Sequence, residues 1–249
     1  MNRLKKIPWL SIRLIGILVL GMFLFSFTKK RHEQRKFSKV LIKIDQEETL
    51  LITENTVNKL LIENNQHVFK VLKEKLDLNK LEVLCAKNPM LLESNIYKTI
   101  DGKLVVKVRQ KKPIARFQDS VLDCYVSNDA SQMPLSDIAT ARVPIVTGKE
   151  SLVWTKEMVE MLGYINNDSF LKQHITAIKL ESEQQIYLQN RHYDFVVEFG
   201  SWHQYKEKFL KYKAFIIKAK DENILENIEK INLKFQQQVV CTNKKEYGK

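Results

Sequence analysis

Glycine is scarce in this chain of 249 residues: there are seven, with no G-x-G-x-x-G run and no P-loop. Loops that cradle phosphate need closely spaced glycines, so a nucleotide-binding loop of either kind is excluded. Cysteine is scarce too. Cys85, Cys124 and Cys241 are far apart, odd in number and without a C-x-x-C pair, which excludes a zinc ribbon and argues against a disulfide framework. Cys85 sits on an apolar helical stripe, where a free cysteine behaves as a small hydrophobe. The five histidines (His32, His67, His174, His192, His203) include no i, i+4 pair that could hold a metal from one helix face. H-E-x-x-H and G-x-S-x-G are both missing. Glu181 and Glu183 would share a side of an extended chain, but they fall in a polar turn and read as solvated. The sequence therefore points to no catalytic residue, no metal and no cofactor, and argues against an enzyme.

Positive charge is abundant, with 41 Lys and Arg against 29 acids and a net charge of +12. Its position matters more than its size. Residues 1–39 hold ten Lys and Arg and one acid, Glu33, leaving 31 basic and 28 acidic residues for everything else. The excess flanks the apolar run WLSIRLIGILVLGMFLFSF at 9–27, which carries a single charge, Arg13. A membrane span needs about 20 such residues. Arg13 can snorkel to the interface, Trp9 suits the headgroup belt, and anionic lipid attracts the flanking lysines. Membrane contact explains this charge better than nucleic acid does. A cleaved signal peptide is the rival, but no A-x-A-like site follows the run. Charge alone leaves the orientation open, because Lys29, Lys30 and Arg31 match the basic residues at the other end.

Residues 78–117 carry the clearest local pattern. Asn79 as N-cap with Glu82 at N3 predicts a capping box, with Leu78 and Val83 as its staple. Leu81, Leu84 and Cys85 give a helical stripe, and Asn88-Pro89 ends it. Two alternating runs, 96–100 and 104–109, flank Asp101-Gly102 and predict a two-residue hairpin. Upstream, 37–45 alternates as a strand and Thr53 caps a helix to about Glu63, giving the order β-α-α-β-β; the state of 68–76 stays undecided. Downstream, 114–146 reads as strands broken by turns, and 155–173 as helix interrupted near Asn166-Asn167-Asp168. Strands follow at 175–180, 185–189 and 195–199. Ser201 with Gln204 predicts a second capping box, opening a helix to about Lys220 with Tyr205, Phe209, Tyr212, Ile216 and Ala219 near one stripe. A short helix at 222–230 and a closing strand at 231–241 complete the chain. Terminal strands often lie at a sheet edge, where a partner's strand can add; a strand that merely completes the core fits these residues equally well.

The order Leu81-Glu82, Asn88-Pro89, 104–108, Gln110 and 113–116 resembles the POTRA domain of the FtsQ/DivIB cell-division family. The likeness continues through Tyr125-Val126-Ser127, 133–136, 141–144 and 146–148 to 231–235 and 238–241. It implies an α+β protein: an N-terminal transmembrane helix, a POTRA domain (β-α-α-β-β), then a mixed β-sheet domain with packed helices. The boundaries read as a cytoplasmic tail 1–8, the span 9–28, a basic juxtamembrane linker 29–36, POTRA 37–113, the β domain 114–243 and a tail 244–249. The resemblance also settles the orientation, with the bulk of the chain periplasmic and the protein in the inner membrane at the division septum. It implies a non-enzymatic scaffold that docks an FtsB/DivIC-like and FtsL-like pair of small bitopic proteins, joins other divisome components and links them to septal wall synthesis, with no role for nucleic acid. Partner contacts would fall on Leu233, Lys234, Phe235 and Gln237, and on Ser201 at the neighbouring helix. This chain departs from better-known members in having Gly200-Ser201 where they place an arginine, and three polar glutamines where small residues are expected. A POTRA-bearing transport or outer-membrane assembly factor is the alternative, disfavoured because one such unit occurs and no barrel-like strand series follows.

Overall fold

The computed structural model describes residues 9–33, 39–45, 49–64 and 76–244. The predicted tail 1–8, residues 34–36 of the linker 29–36, residues 68–75 of the undecided segment 68–76 and the end of the chain past 244 lie outside them. The first described element is helix α1 (Trp9–Glu33). Its large hydrophobic side chains from Leu14 to Phe27 are exposed, as on a helix with no protein against it. Side chains are described for 13–29, fewer than the roughly 20 a crossing requires; among the described residues no helix is long and apolar enough to cross a membrane.

Two compact units divide most of the remaining chain. Among the described residues the smaller runs β1 (Lys39–Ile44), α2 (Glu54–Asn64), α3 (Leu78–Ala86), β2 (Leu91–Lys98) and β3 (Lys103–Gln110). Its sheet is ordered β1-β3-β2, with β1 parallel to β3. Leu104, Val106 and Val108 are buried as the alternation requires, and so is Val105, while Lys107 and Arg109 stay exposed.

Four local expectations are corrected here. The N-cap of α3 is Asp77, two residues ahead of Asn79, and its carboxylate accepts from the Lys80 amide at 3.3 Å. Glu82 closes no box, because its Oε1 accepts from the Ile96 amide at 2.8 Å and ties α3 to β2. Val83, cast as part of the staple, is exposed. The hairpin turn is also longer than two residues: Gly102 N donates to Thr99 O at 3.0 Å and Thr99 N to Lys103 O at 2.9 Å, with Gly102 at φ +85°. That geometry accommodates one residue in the left-handed region at the turn's end, which glycine adopts without steric cost.

The larger unit is built on a mixed nine-stranded sheet. Its strands are β4 (Pro113–Gln118), β5 (Asp123–Ser127), β6 (Gln132–Met133), β7 (Ile145–Gly148), β8 (Ile175–Ser182), β9 (Gln185–Asn190), β10 (Val196–Gly200), β11 (Ile228–Asn232) and β12 (Val240–Asn243). They lie in the order β12-β11-β10-β9-β8-β7-β4-β5-β6. Parallel neighbours need crossovers. Helices α4 (Glu150–Val153), α5 (Lys156–Asn167) and α6 (Ser169–His174) make the one from β7 to β8, and α7 (Tyr205–Asp221) the one from β10 to β11. Phe117, Val146, Ile178, Leu188 and Phe199 from the sheet pack into one core with Met158, Leu162 and Ile165 of α5 and Phe209, Tyr212 and Ile216 of α7. The predicted interruption near Asn166 is real: Asp168 caps α6 by accepting from the Leu171 amide at 3.0 Å. At Gly148, φ is +109° and an added Cβ would lie 2.0 Å from the Leu180 carbonyl oxygen, so no side chain fits where β7 meets β8.

Candidate functional site

The end of the sheet formed by β10, β11 and β12 collects the residues expected to dock a partner. Strand β10 carries one acid among buried neighbours, Glu198, whose side chain is 16% exposed. Its carboxylate accepts from Asn232 Nδ2 at 2.9 Å and pairs with Lys230 at 3.0 Å and Lys234 at 3.4 Å. The hydrogen bond from Lys230, reinforced by the charge of Lys234, holds Glu198 below the ordinary carboxylate value against the upward push of burial. One acid thus pins strand β11, and Lys234 two residues beyond it, to β10.

The expectation of a strand through 231–235 is corrected. Strand β11 begins earlier, at Ile228, and stops at Asn232, because Asn232 Oδ1 accepts from the Lys234 amide at 2.9 Å. Such an Asx turn offers the backbone a local partner in place of the ladder. The helix predicted at 222–230 is correspondingly absent: one 3₁₀ turn (Leu225–Asn227) precedes residues committed to parallel pairing with β10. The stretch 233–239 is a loop, and β12 then folds back antiparallel on β11.

Within this loop the predicted contact residues have different environments. Leu233 is 0% exposed and belongs to the core. Lys234 is exposed and paired with Glu198. Phe235 is 47% exposed, a large apolar side chain facing solvent, and Gln236, Gln237 and Gln238 are exposed beside it. All four residues of β12 are exposed, and among the described residues no further strand pairs with its outer edge.

Ser201 lies at the other loop of the site, and it does not cap α7. The helix begins four residues later, after Gln204 in the left-handed region at φ 56° with no side-chain cap. Trp202 alone of 201–204 is buried in the core, ahead of the first helical turn. Gly200, at φ +76°, lies close under Lys234: an added Cβ would fall 2.9 Å from Lys234 Cγ. Sequence reasoning missed two further residues of α7. Lys208, 8% exposed, donates to Phe199 O at 3.1 Å and Ser201 O at 2.6 Å. Burial, with the charge of Lys211 adding to it, lowers its pKa to about 8. Lys211 donates to Phe235 O at 2.7 Å and Gln236 O at 3.0 Å. The one sequence signal for them was Lys208 beside Phe209 on an otherwise apolar stripe; nothing marked the carbonyls they serve.

Among the described residues no group of three or more His, Cys, Asp or Glu side chains could hold a metal ion. The chemistry on offer is that of contact: backbone groups on an open edge, an exposed aromatic ring and ammonium groups. A mixed sheet with packed helices defines an α+β domain with one exposed edge strand. The profile of the family described as "FtsQ/DivIB, C-terminal related" matches residues 112–242, more than half of the chain and almost the whole larger unit. The chain belongs to that family, one of cell-division proteins, as its sequence resemblance implied. No match was found among curated proteins.

Proposed function

We propose that this protein is a membrane-anchored, non-enzymatic scaffold of the cell-division machinery that docks a small bitopic partner on the edge formed by β12 and the loop carrying Phe235. The observation that carries this reading is the open edge itself: four exposed strand residues follow a loop that presents a half-exposed phenylalanine. A segment of the partner would add as a further strand, with main-chain hydrogen bonds for affinity and Phe235 with Lys234 for selectivity. Family membership supports an FtsB/DivIC-like protein with its FtsL-like companion as the occupant, and through them a link to septal wall synthesis. The β-α-α-β-β unit supports the POTRA assignment, with placement at the septum as its role. The apolar run of α1 between basic flanks supports a single-pass anchor in the inner membrane, short tail inside and both folded units in the periplasm.

Site-specific photocrosslinking in dividing cells tests the reading, with the probe at Phe235 or Lys234. We expect capture of one small single-span coiled-coil protein. Capture of many unfolded outer-membrane clients would favour the transport alternative, and capture of nothing would remove this edge as the docking site.

A further inference from the structure

We infer that Lys211 is a positioning residue for docking: its ammonium group sets the backbone of the loop that presents Phe235. This rests on the docking reading above and adds to it the device that orders the site.

Lys208 and Lys211 lie three residues apart on α7, so they share one side of the helix. Each spends its ammonium protons on two main-chain carbonyls. Lys208 holds Phe199 O and Ser201 O, on the two sides of Gly200. Lys211 holds Phe235 O and Gln236 O, two consecutive carbonyls of the loop from β11 to β12. Turning two successive carbonyls toward one ammonium fixes the peptide plane between Phe235 and Gln236. The loop's entry is fixed separately, by Leu233 N donating to Glu198 O at 2.9 Å and by the Asn232 turn. Leu233 is anchored in the core, whereas Phe235 is half exposed and the glutamines after it are exposed. Between that entry and Val239, which packs against the core at the loop's far end, the loop's order therefore depends on the Lys211 clasp. Its geometry is that of a charged donor on neutral acceptors, stronger than a neutral hydrogen bond. A partner meeting a fixed loop is spared part of the ordering cost of association.

Two substitutions in the full-length protein separate this role from simple packing. Lys211→Met keeps the apolar stem and removes the donor, and Lys211→Arg restores donors. Backbone ¹⁵N order parameters at 236–239, measured in lipid nanodiscs, should fall below about 0.6 in the Met variant, the range of a flexible backbone, with β8 and β9 unchanged. Photocapture through a probe at Phe235 should fall with them, and Arg should restore both. Unchanged order parameters at 236–239 in the Met variant would overturn the clasp. Lower order parameters with undiminished capture would overturn its role in docking while leaving the docking reading intact. Lower order parameters in β8 and β9 as well would make Lys211 a general stability residue and also overturn the inference. If the unsubstituted protein captures nothing through Phe235, the docking reading fails and the inference falls with it.

Discussion

The two edges of the nine-stranded sheet are finished in opposite ways. At one end β6 is two residues long, and Met133 within it is fully buried. The chain that leaves it is tied down: Ser136 Oγ donates to Leu51 O at 2.6 Å and the Ala141 amide to Tyr125 Oη at 3.0 Å. At the other end β12 is four residues long and wholly exposed. A short, tethered edge strand is a common guard against unwanted pairing. Among the described residues the sheet carries that guard at one end only, and the other end is the edge proposed for docking.

The first way to break this contrast is to cut the core beneath each edge. Met133→Ala and Leu233→Ala each remove a fully buried side chain, and each should cost about 2–5 kcal/mol in chemical denaturation. A small loss for Leu233 would mean that the open end is loosely founded, and the edge would then be frayed instead of presented.

A smaller effect, on binding alone, should follow at the surface. Phe235→Glu should weaken binding of the captured partner roughly 30-fold and shift stability by no more than about 0.5 kcal/mol. Ile138→Glu, an equally exposed apolar position in the loop beyond β6, should leave binding unchanged. Titration of the purified variants with the partner decides it; equal losses would erase the distinction between the edges.

The edges should also answer differently to pH. At the open end Lys208 has a folded pKa of about 8, below its unfolded value of 10.5. The unfolded chain then binds the extra proton between these values, so stability rises with pH across that window, by up to about 1.4 kcal/mol per unit. Lys208→Met should flatten the rise in urea denaturation between pH 8 and 10. At the blunted end burial pushes Asp129 up, but hydrogen bonds from Ser131 and Lys111 outweigh it and hold it at about 2, against 3.8 unfolded. That contribution is complete above 3.8 and is lost as pH falls through about 2. Because Asp129 is partly exposed, the effect should be the smallest of these, seen as a shallower acid limb in Asp129→Asn. Glu198, also depressed, brings an acid loss of the same sign to the open end.

Much of the fold was legible because periodicity reports burial. The stripe Phe209, Tyr212, Ile216 and Ala219 is buried as read, and the break at Asp168 is where its capping side chain predicts. Two of the failures share one cause, a side chain claimed by a distant group: Glu82 answers the Ile96 amide and Trp202 is drawn into the core ahead of α7. Neither commitment has a local signal. Asn232 is different, because its turn onto the Lys234 amide is local and competes with a strand pattern that the neighbouring apolar residues suggest. The candidate site suffered most, since Lys208 and Lys211 act on carbonyls, which every residue possesses and no sequence distinguishes. The apolar pattern at 231–235 was visible, yet it joined a core leucine to a surface phenylalanine.

Gly148 bears on how natural variation in this protein should be read. It is exposed to solvent, but an added methyl group would collide with the Leu180 carbonyl of the neighbouring strand. In a saturation library it should be depleted like an interior position, while exposed Ile138 tolerates almost anything. A tolerance map drawn from accessibility alone would rank the two together, and the main-chain contact at the β7–β8 seam is what separates them.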